Sequence, residues 1–333
     1  MKYPTGAWLG FINAIYWIGT FVGALITAWI SNKYGRRVGI WLGIFLISVG
    51  TALQTAAPND SSFVVARLIV GISSGFFSNA VPLLLNEVAY PAHRPVANAL
   101  YMCGYYLGAT IAAWVTFGTK SMESSWSWRI PSICQLVCLV LALPALFLVP
   151  ESPRWLVSVN QVPQARAALA NLHASGDIDS LVVNHQMITI QNALRAEGEH
   201  LTGHTAMLAT PGNRHRLFIT ISVGIFSQWV GNAVLSYYLS IMLSSIGITQ
   251  THDQLLISGC LQIWNLIFST IGAMSVERMG RRVLFLLSGV IMLVSYITIT
   301  GLSGGFSATG SIPLGTAVIP FLFIYFAGYD IAL

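Results

Sequence analysis

Four side chains hold most of the chemistry this sequence can offer. Gln228, Asn232, Asn265 and Asp330 lie within long apolar runs or at their edge. A carboxamide both donates and accepts hydrogen bonds, and a carboxylate accepts several. Trp229, Tyr237 and Tyr238 add apolar ring faces and phenolic hydroxyls close by in the chain. Such a set suits reversible hydrogen bonding to a hydroxylated solute. For Asn232 the alternative is a polar contact between helices. Asp330 can bind solute or take up a proton. No nucleophile, base and orienting group come together, and no phosphate-cradling GxxxxGK[S/T] loop is present. The chain is therefore not expected to be an enzyme.

A second set is charged. Arg36, Arg37, Glu87, Arg94, Glu151 and Arg154 fall at the ends of apolar runs in the first part of the chain, and Glu277, Arg278, Arg281 and Arg282 do so in the second. Exposed ion pairs contribute only about 0–1 kcal/mol each. As a network at one rim they can act as a gate that pairs and separates, and the plainer alternative is that they only set topology. Metal chemistry is not expected. His200 and His204 are four apart without a third ligand, and Cys103, Cys134, Cys138 and Cys260 all lie inside apolar runs.

The elements that must position these groups follow from composition. Of 333 residues, 55% are apolar and only 8% charged, against roughly 25% charged in a soluble domain. Such a surface faces lipid. A helix needs about 20 apolar residues to cross the hydrocarbon, and nine runs qualify: 7–30, 38–57, 64–86, 96–117, 129–149, 217–244, 255–276, 283–303 and 313–333. Their continuity, without alternation every second residue, favours helices over barrel strands. A Gly/Ser-rich loop is expected over 302–311. The net charge of +5 is spread through short loops, which argues for membrane topology and against nucleic acid. Twelve Lys and Arg fall on one side and four (Lys2, Arg67, Lys120 and Arg129) on the other, placing the first side in the cytoplasm and the amino terminus outside.

Three segments result: a helical half over 1–150 with five spans, a polar linker over 151–216, and a helical half over 217–333 with four spans. The linker holds ten of the 27 charged residues. Two amphipathic helices are expected in it, 163–174 and 180–197, the second with Leu181, Ile188 and Leu194 on its apolar face. An internal repeat relates the halves: Asn32-Lys33-Tyr34-Gly35-Arg36-Arg37-Val38 is echoed by Glu277-Arg278-Met279-Gly280-Arg281-Arg282-Val283. Repeated halves mark transporter folds. Gly71 and Gly75, like Gly104 and Gly108, have the spacing of close helix packing.

On these residues the sequence resembles the sugar porter family of the major facilitator superfamily, most of all its fungal hexose and lactose permeases. The resemblance rests on the two Gly-Arg-Arg loops, Arg67-x3-Gly71-x3-Gly75, Glu87 and Arg94, Pro150-Glu151-Ser152-Pro153-Arg154-Trp155-Leu156, Gln228-x2-Gly231 with Tyr237-Tyr238, and Asn265 twelve residues before Glu277. It implies an all-α membrane bundle, incomplete, with about nine transmembrane helices in two pseudo-symmetric halves, lacking the family's first and last two helices. It further implies a mono- or disaccharide substrate carried by uniport or proton symport, no cofactor, and a plasma-membrane location. A sugar-sensing receptor on the same scaffold and an inactive fragment stay open as alternatives. Where the family has a substrate glutamine on its fifth helix, this chain has Met102, with Asn98 and Tyr101 as alternatives.

Overall fold

The computed structural model describes residues 7–199 and 204–332, and all regular structure among them is helical. Nine helical stretches among the described residues are long and apolar enough to cross a membrane. By packing, the chain forms two compact units. One comprises residues up to Asn98 together with Ser132–Arg214, and the other Ala99–Pro131 with His215–Leu333. Packing thus groups residues 99–131 with the second unit, whereas chain order places them in the first half.

In the first unit, α1 (Ala7–Tyr34), α2 (Arg36–Ala56) and α3 (Asp60–Val88) pack through glycine. A Cβ on Gly71 would overlap the Tyr16 carbonyl oxygen, and one on Gly75 would overlap that of Thr20. On α1, Gly19 and Gly23 face the Leu68 and Ile72 carbonyls in the same way. Lipid tails are as apolar as leucine, so close van der Waals contact must supply the helix–helix attraction. The Ser73 hydroxyl adds a bond to the Gly43 carbonyl at 2.8 Å, and Tyr16 donates to Ser74 Oγ at 2.9 Å. The expectation for Gly104 and Gly108, on α4 (Arg94–Thr119), is corrected: no described atom lies within 4 Å of a Cβ at either. Their spacing alone does not bring a partner helix.

After α5 (Trp126–Leu148) comes a small polar-surfaced bundle of α6 (Pro153–Ser158), α7 (Val162–His173) and α8 (Leu181–Glu199). Ser152 caps α6 by accepting from the Trp155 amide at 3.2 Å. The core joins Leu156, Ala165, Leu169, Val183 and Met187. The apolar face of α8 is therefore Val183, Met187 and Ile190, and Leu181 is 86% exposed and Ile188 57%. The expected face fails at Leu181 and Ile188, because Val183 and Met187, four apart, join the core with α7 instead, while Leu194 is half-buried. His173 ties the bundle to α3, with its Nε2 3.0 Å from the Val88 carbonyl oxygen.

The linker continues as α9 (His204–Ala209). The second unit contains α10 (Pro211–Trp229), α11 (Asn232–Tyr237), α12 (Leu239–Ser245), α13 (Thr251–Met279), α14 (Arg281–Thr309), α15 (Ile312–Thr316) and α16 (Val318–Ala332). Its core holds Leu243, Leu261, Met292, Val318, Leu322 and Tyr325. Two expectations are corrected. Residues 302–309 are helical, completing α14, since a backbone in hydrocarbon must bond to itself and glycine is tolerated in membrane helices for that reason. The run 217–244 is no single helix. It breaks at Gly231 (φ 96°) and again at Tyr238.

The repeated loops match in conformation. Gly35 has φ 100° and ψ 164°, and Gly280 has φ 79° and ψ 150°. Each is the hinge between one long helix and the next, in a region that side-chain-bearing residues avoid.

Candidate functional site

The break at Gly231 shapes the polar site of the second unit. A Cβ at Gly231 would sit 2.6 Å from Tyr296 Cε2, so both the positive φ and the close aromatic ring demand glycine. A broken helix leaves carbonyls without partners. One of them, Val230 O, accepts from the Tyr325 hydroxyl at 2.8 Å. Asn232 opens the next helical segment and accepts from Ser236 Oγ at 2.9 Å. It also shares a hydrogen bond with Tyr329 on α16.

Beside Tyr329 lies Asp330, 7% exposed. Tyr106 on α4 donates its hydroxyl to Asp330 Oδ1 at 2.6 Å. Asn265 on α13 is only 3% exposed. With its amide nitrogen turned to the carboxylate, it donates to Asp330 Oδ2 at 3.1 Å and to the Leu261 carbonyl at 3.0 Å. Thr110, one turn beyond Tyr106, bonds both the Tyr106 carbonyl at 2.8 Å and the Gln262 carbonyl at 3.2 Å, fixing α4 against α13. Helices α4, α13 and α16 thus meet at one buried carboxylate, and α11 reaches its neighbour Tyr329.

The structure brings together three of the seven substrate-site expectations: Asn232, Asn265 and Asp330. Gln228 and Trp229, at the end of α10, are exposed, Trp229 at 79%. Tyr237 is exposed and Tyr238 half-buried, at the second break. Met102 is exposed, Asn98 donates to Asn86 Oδ1 at 2.5 Å, and Tyr101 is half-buried. Tyr106 was missed. It stands one helical turn beyond Met102, and a search of the same face at i+4 would have found it.

Among the gate residues, Arg36 and Glu87 form a bidentate pair, Nε–Oε2 at 2.9 Å and Nη2–Oε1 at 3.1 Å, with both side chains 10% exposed. Arg36 Nη1 also donates to the Ser31 carbonyl at 3.2 Å. Glu151 does something else. Its Oε1 accepts from the Arg36 amide at 3.0 Å and its Oε2 from the Arg37 amide at 3.1 Å, while its own neighbour Ser152 donates to Oε1 at 2.9 Å. It takes the place of a side-chain cap at the start of α2, whose N-cap residue is Gly35, where the amides are unpaired and the helix dipole is positive. Gly35 leaves room for it, since a Cβ there would lie 2.5 Å from Oε2. The Arg37 guanidinium turns to the Leu146 carbonyl at 3.2 Å. Arg94 is exposed and bonds the Ala89 carbonyl at 3.2 Å, and Arg154 is half-buried. Arg278, Arg281 and Arg282 are exposed and form no ion pair with a described residue. The Glu277 side chain and His200 lie outside the described residues. Among the described residues no group of three or more His, Cys, Asp or Glu could hold a metal.

Known proteins match along nearly the whole chain. The pattern of the "Sugar (and other) transporter" family covers residues 1–333. The MFS-type transporter oryC of Aspergillus oryzae is 29% identical over 98% of this chain and 61% of its own length. Sugar transport protein 4 of Arabidopsis thaliana is 25% identical over 96% of this chain and 62% of its own. The high-affinity glucose transporter of Kluyveromyces lactis is 24% identical over 91% and 55%. The chain therefore spans less than two thirds of the length of these relatives. Among solved structures, the proton:xylose symporter XylE bound to 6-bromo-6-deoxy-D-glucose superposes with a TM-score of 0.81 at 23% identity, over 97% of this chain and 69% of that one. The partially occluded, inward-open xylose transporter XylE from E. coli gives 0.78 at 22%, over 97% and 73%. The fold is that of the major facilitator superfamily, and the chain is an integral, multi-pass membrane protein that belongs to the sugar (and other) transporter family.

Proposed function

We propose that this protein carries a small sugar, a mono- or disaccharide, across the plasma membrane by alternating access between its two pseudo-symmetric halves. The observation that carries the reading is the Tyr106–Asp330–Asn265 cluster beside the broken helix at Gly231. Broken helices at mid-membrane are where carriers of this kind hold substrate. A buried carboxylate bonded by a phenol and a carboxamide offers the mixed acceptors and donors that sugar hydroxyls need. Gln228, Trp229, Asn232, Tyr237 and Tyr238 complete the proposed contact set. The relatives named as glucose and sugar transporters support the substrate class.

The chain divides, on this reading, into helical halves over 1–150 and 217–333 joined by the polar linker 151–216. Charges at the basic rim, Arg36, Arg37, Glu87, Arg94, Glu151 and Arg154 with Glu277, Arg278, Arg281 and Arg282, form the cytoplasmic gate. Transport is driven by the sugar gradient or by a co-transported proton, the second supported by the proton:xylose symporter among the similar folds.

The test is uptake of labelled D-glucose, D-xylose and lactose into proteoliposomes, with and without an imposed proton gradient. Saturable uptake of at least one sugar, lost in Asn265→Ala, is expected. Accumulation that follows the proton gradient identifies symport, and mere equilibration identifies uniport. No uptake of any of the three beyond empty liposomes overturns the reading.

A further inference from the structure

Three helices of the first unit meet the basic rim with backbone groups that a helix leaves unpaired. There α1 and α3 end, on carbonyls, and α2 starts, on amides. The segment after α5 reaches all three. Glu151 accepts from the Arg36 and Arg37 amides of α2 at 3.0 and 3.1 Å. Further on, the Trp155 indole Nε1 donates to the Asn32 carbonyl, in the last turn of α1, at 3.1 Å. His173, in the last turn of α7, sets its Nε2 3.0 Å from the carbonyl oxygen of Val88, the final residue of α3. Each contact has the polarity that the helix dipole favours, a carboxylate at a helix start and N–H donors at helix ends.

The imidazole is itself held. A backbone carbonyl can only accept, so Nε2 carries a proton. Nδ1 lies 2.7 Å from the Gln186 side-chain oxygen on α8, and a carboxamide can answer a ring nitrogen with either of its ends. The Tyr90 ring stands edge-on to it, 5.4 Å away at 85°. Glu87 directly precedes Val88. Its two oxygens must meet the Arg36 fork together, at 2.9 and 3.1 Å, and a fraying helix end cannot keep that bidentate register. The linker thus holds the main chain on both sides of the pair, Arg36 through Glu151 and the end of α3 through His173.

We infer that the linker, through Glu151 and the α6–α8 bundle, clamps the basic rim of the first unit by bonding the free ends of α1, α2 and α3, and that His173 is the positioning residue that keeps Glu87 on Arg36. The linker is then more than a tether, since loosening it loosens the rim charges.

The positioning role rests on the gate proposed above, and two readouts separate them. Hydrogen exchange of residues 85–90, followed by mass spectrometry on the purified full chain in detergent, reports the clamp. His173→Leu, which fills space and donates nothing, is expected to exchange there about 5-fold faster, the worth of one hydrogen bond, with no change over residues 60–75 of the same helix. His173→Gln keeps an N–H donor and is expected to restore the slow rate. Gln186→Ala, which releases the ring, moves exchange the same way and stands in should His173→Leu fail to fold. Sugar uptake into proteoliposomes is the second readout. His173→Leu is expected to lower it in the unaltered chain and to have no further effect once Glu87→Gln is present. Exchange in His173→Leu equal to that of the unaltered chain overturns the clamp. Uptake losses that multiply in the double variant overturn the positioning role, because they mark a residue acting apart from Glu87. If the unaltered chain takes up no sugar, the transport reading falls and the positioning role with it, while exchange still decides the clamp.

Discussion

Glu151 provides a test of how the basic rim is built. In the structure its carboxylate grips backbone, accepting from the amides of Arg36 and Arg37 at 3.0 and 3.1 Å, and touches neither guanidinium. Losing an N-cap costs about 0.5–2 kcal/mol. The favourable charge at the helix N-terminus adds about 0.3–1 kcal/mol. Glu151→Ala is therefore expected to destabilise the fold by about 1–3 kcal/mol. Arg37→Ala removes a guanidinium bonded to the Leu146 carbonyl but leaves the Arg37 amide in place, and should cost about 1–3 kcal/mol. The decisive quantity is the coupling in a double-mutant cycle. If the carboxylate binds amides, the two losses add to within about 0.5 kcal/mol. Denaturant-driven unfolding in mixed micelles, followed by tryptophan fluorescence, measures all four corners. A coupling as large as the Glu151→Ala loss itself would mean an ion pair to Arg37 and would refute the capping argument.

Other perturbations have equally definite outcomes. Glu87→Ala strands the Arg36 guanidinium, 10% exposed, and should cost about 3–5 kcal/mol in the same unfolding assay; an effect under 1 kcal/mol would contradict the buried geometry. Gly231→Ala combines a left-handed backbone with overlap on Tyr296, so a cost of about 1–3 kcal/mol is expected, together with loss of sugar binding. Tyr325→Phe frees the Val230 carbonyl and should cost about 1–3 kcal/mol without touching Asp330. Gly104→Ala, with no described atom near its Cβ, should leave stability unchanged or slightly improved, whereas Gly71→Ala, aimed at the Tyr16 backbone, should prevent stable packing of α1 on α3; helix content and monodispersity in detergent report both.

The contrast between those two glycines shows what sequence can and cannot convey. Apolar length and charge scarcity fix how many helices form, because hydrocarbon leaves the backbone no other solution. The repeat was legible for a similar reason: Gly35 and Gly280 hold backbone angles that only glycine takes comfortably, so the loop preserves its residue. Which face of a helix meets which neighbour is another matter. Gly71 and Gly104 sit in the same small-x3-small spacing, yet of the two only the first finds a partner among the described residues. Likewise the apolar residues of α8 allow two stripes, and contact with α7 selects Val183 and Met187.

At the site, Asn265 and Asp330 could be named from sequence because a polar group in an apolar run is costly and calls for a reason. Tyr106 was marked only by its place one turn beyond Met102, since a tyrosine in a membrane helix is ordinary until its hydroxyl is seen 2.6 Å from a carboxylate 224 residues away. Glu151 was recognised as one of the rim charges, without its backbone partners. Two adjacent arginines invite an ion-pair reading, and the backbone amides that bind the carboxylate have no letter in the sequence. The structural lesson is directional. Glu151 holds the start of α2 by its main chain, which frees the Arg37 side chain for the Leu146 carbonyl and leaves Arg36 for Glu87. One carboxylate on amides thus decides where both guanidiniums go. Replacing Arg36 by Lys should keep the capped helix start, whose amides are unchanged, and lose the bidentate grip on Glu87, because a point ammonium cannot span both carboxylate oxygens as the planar fork does.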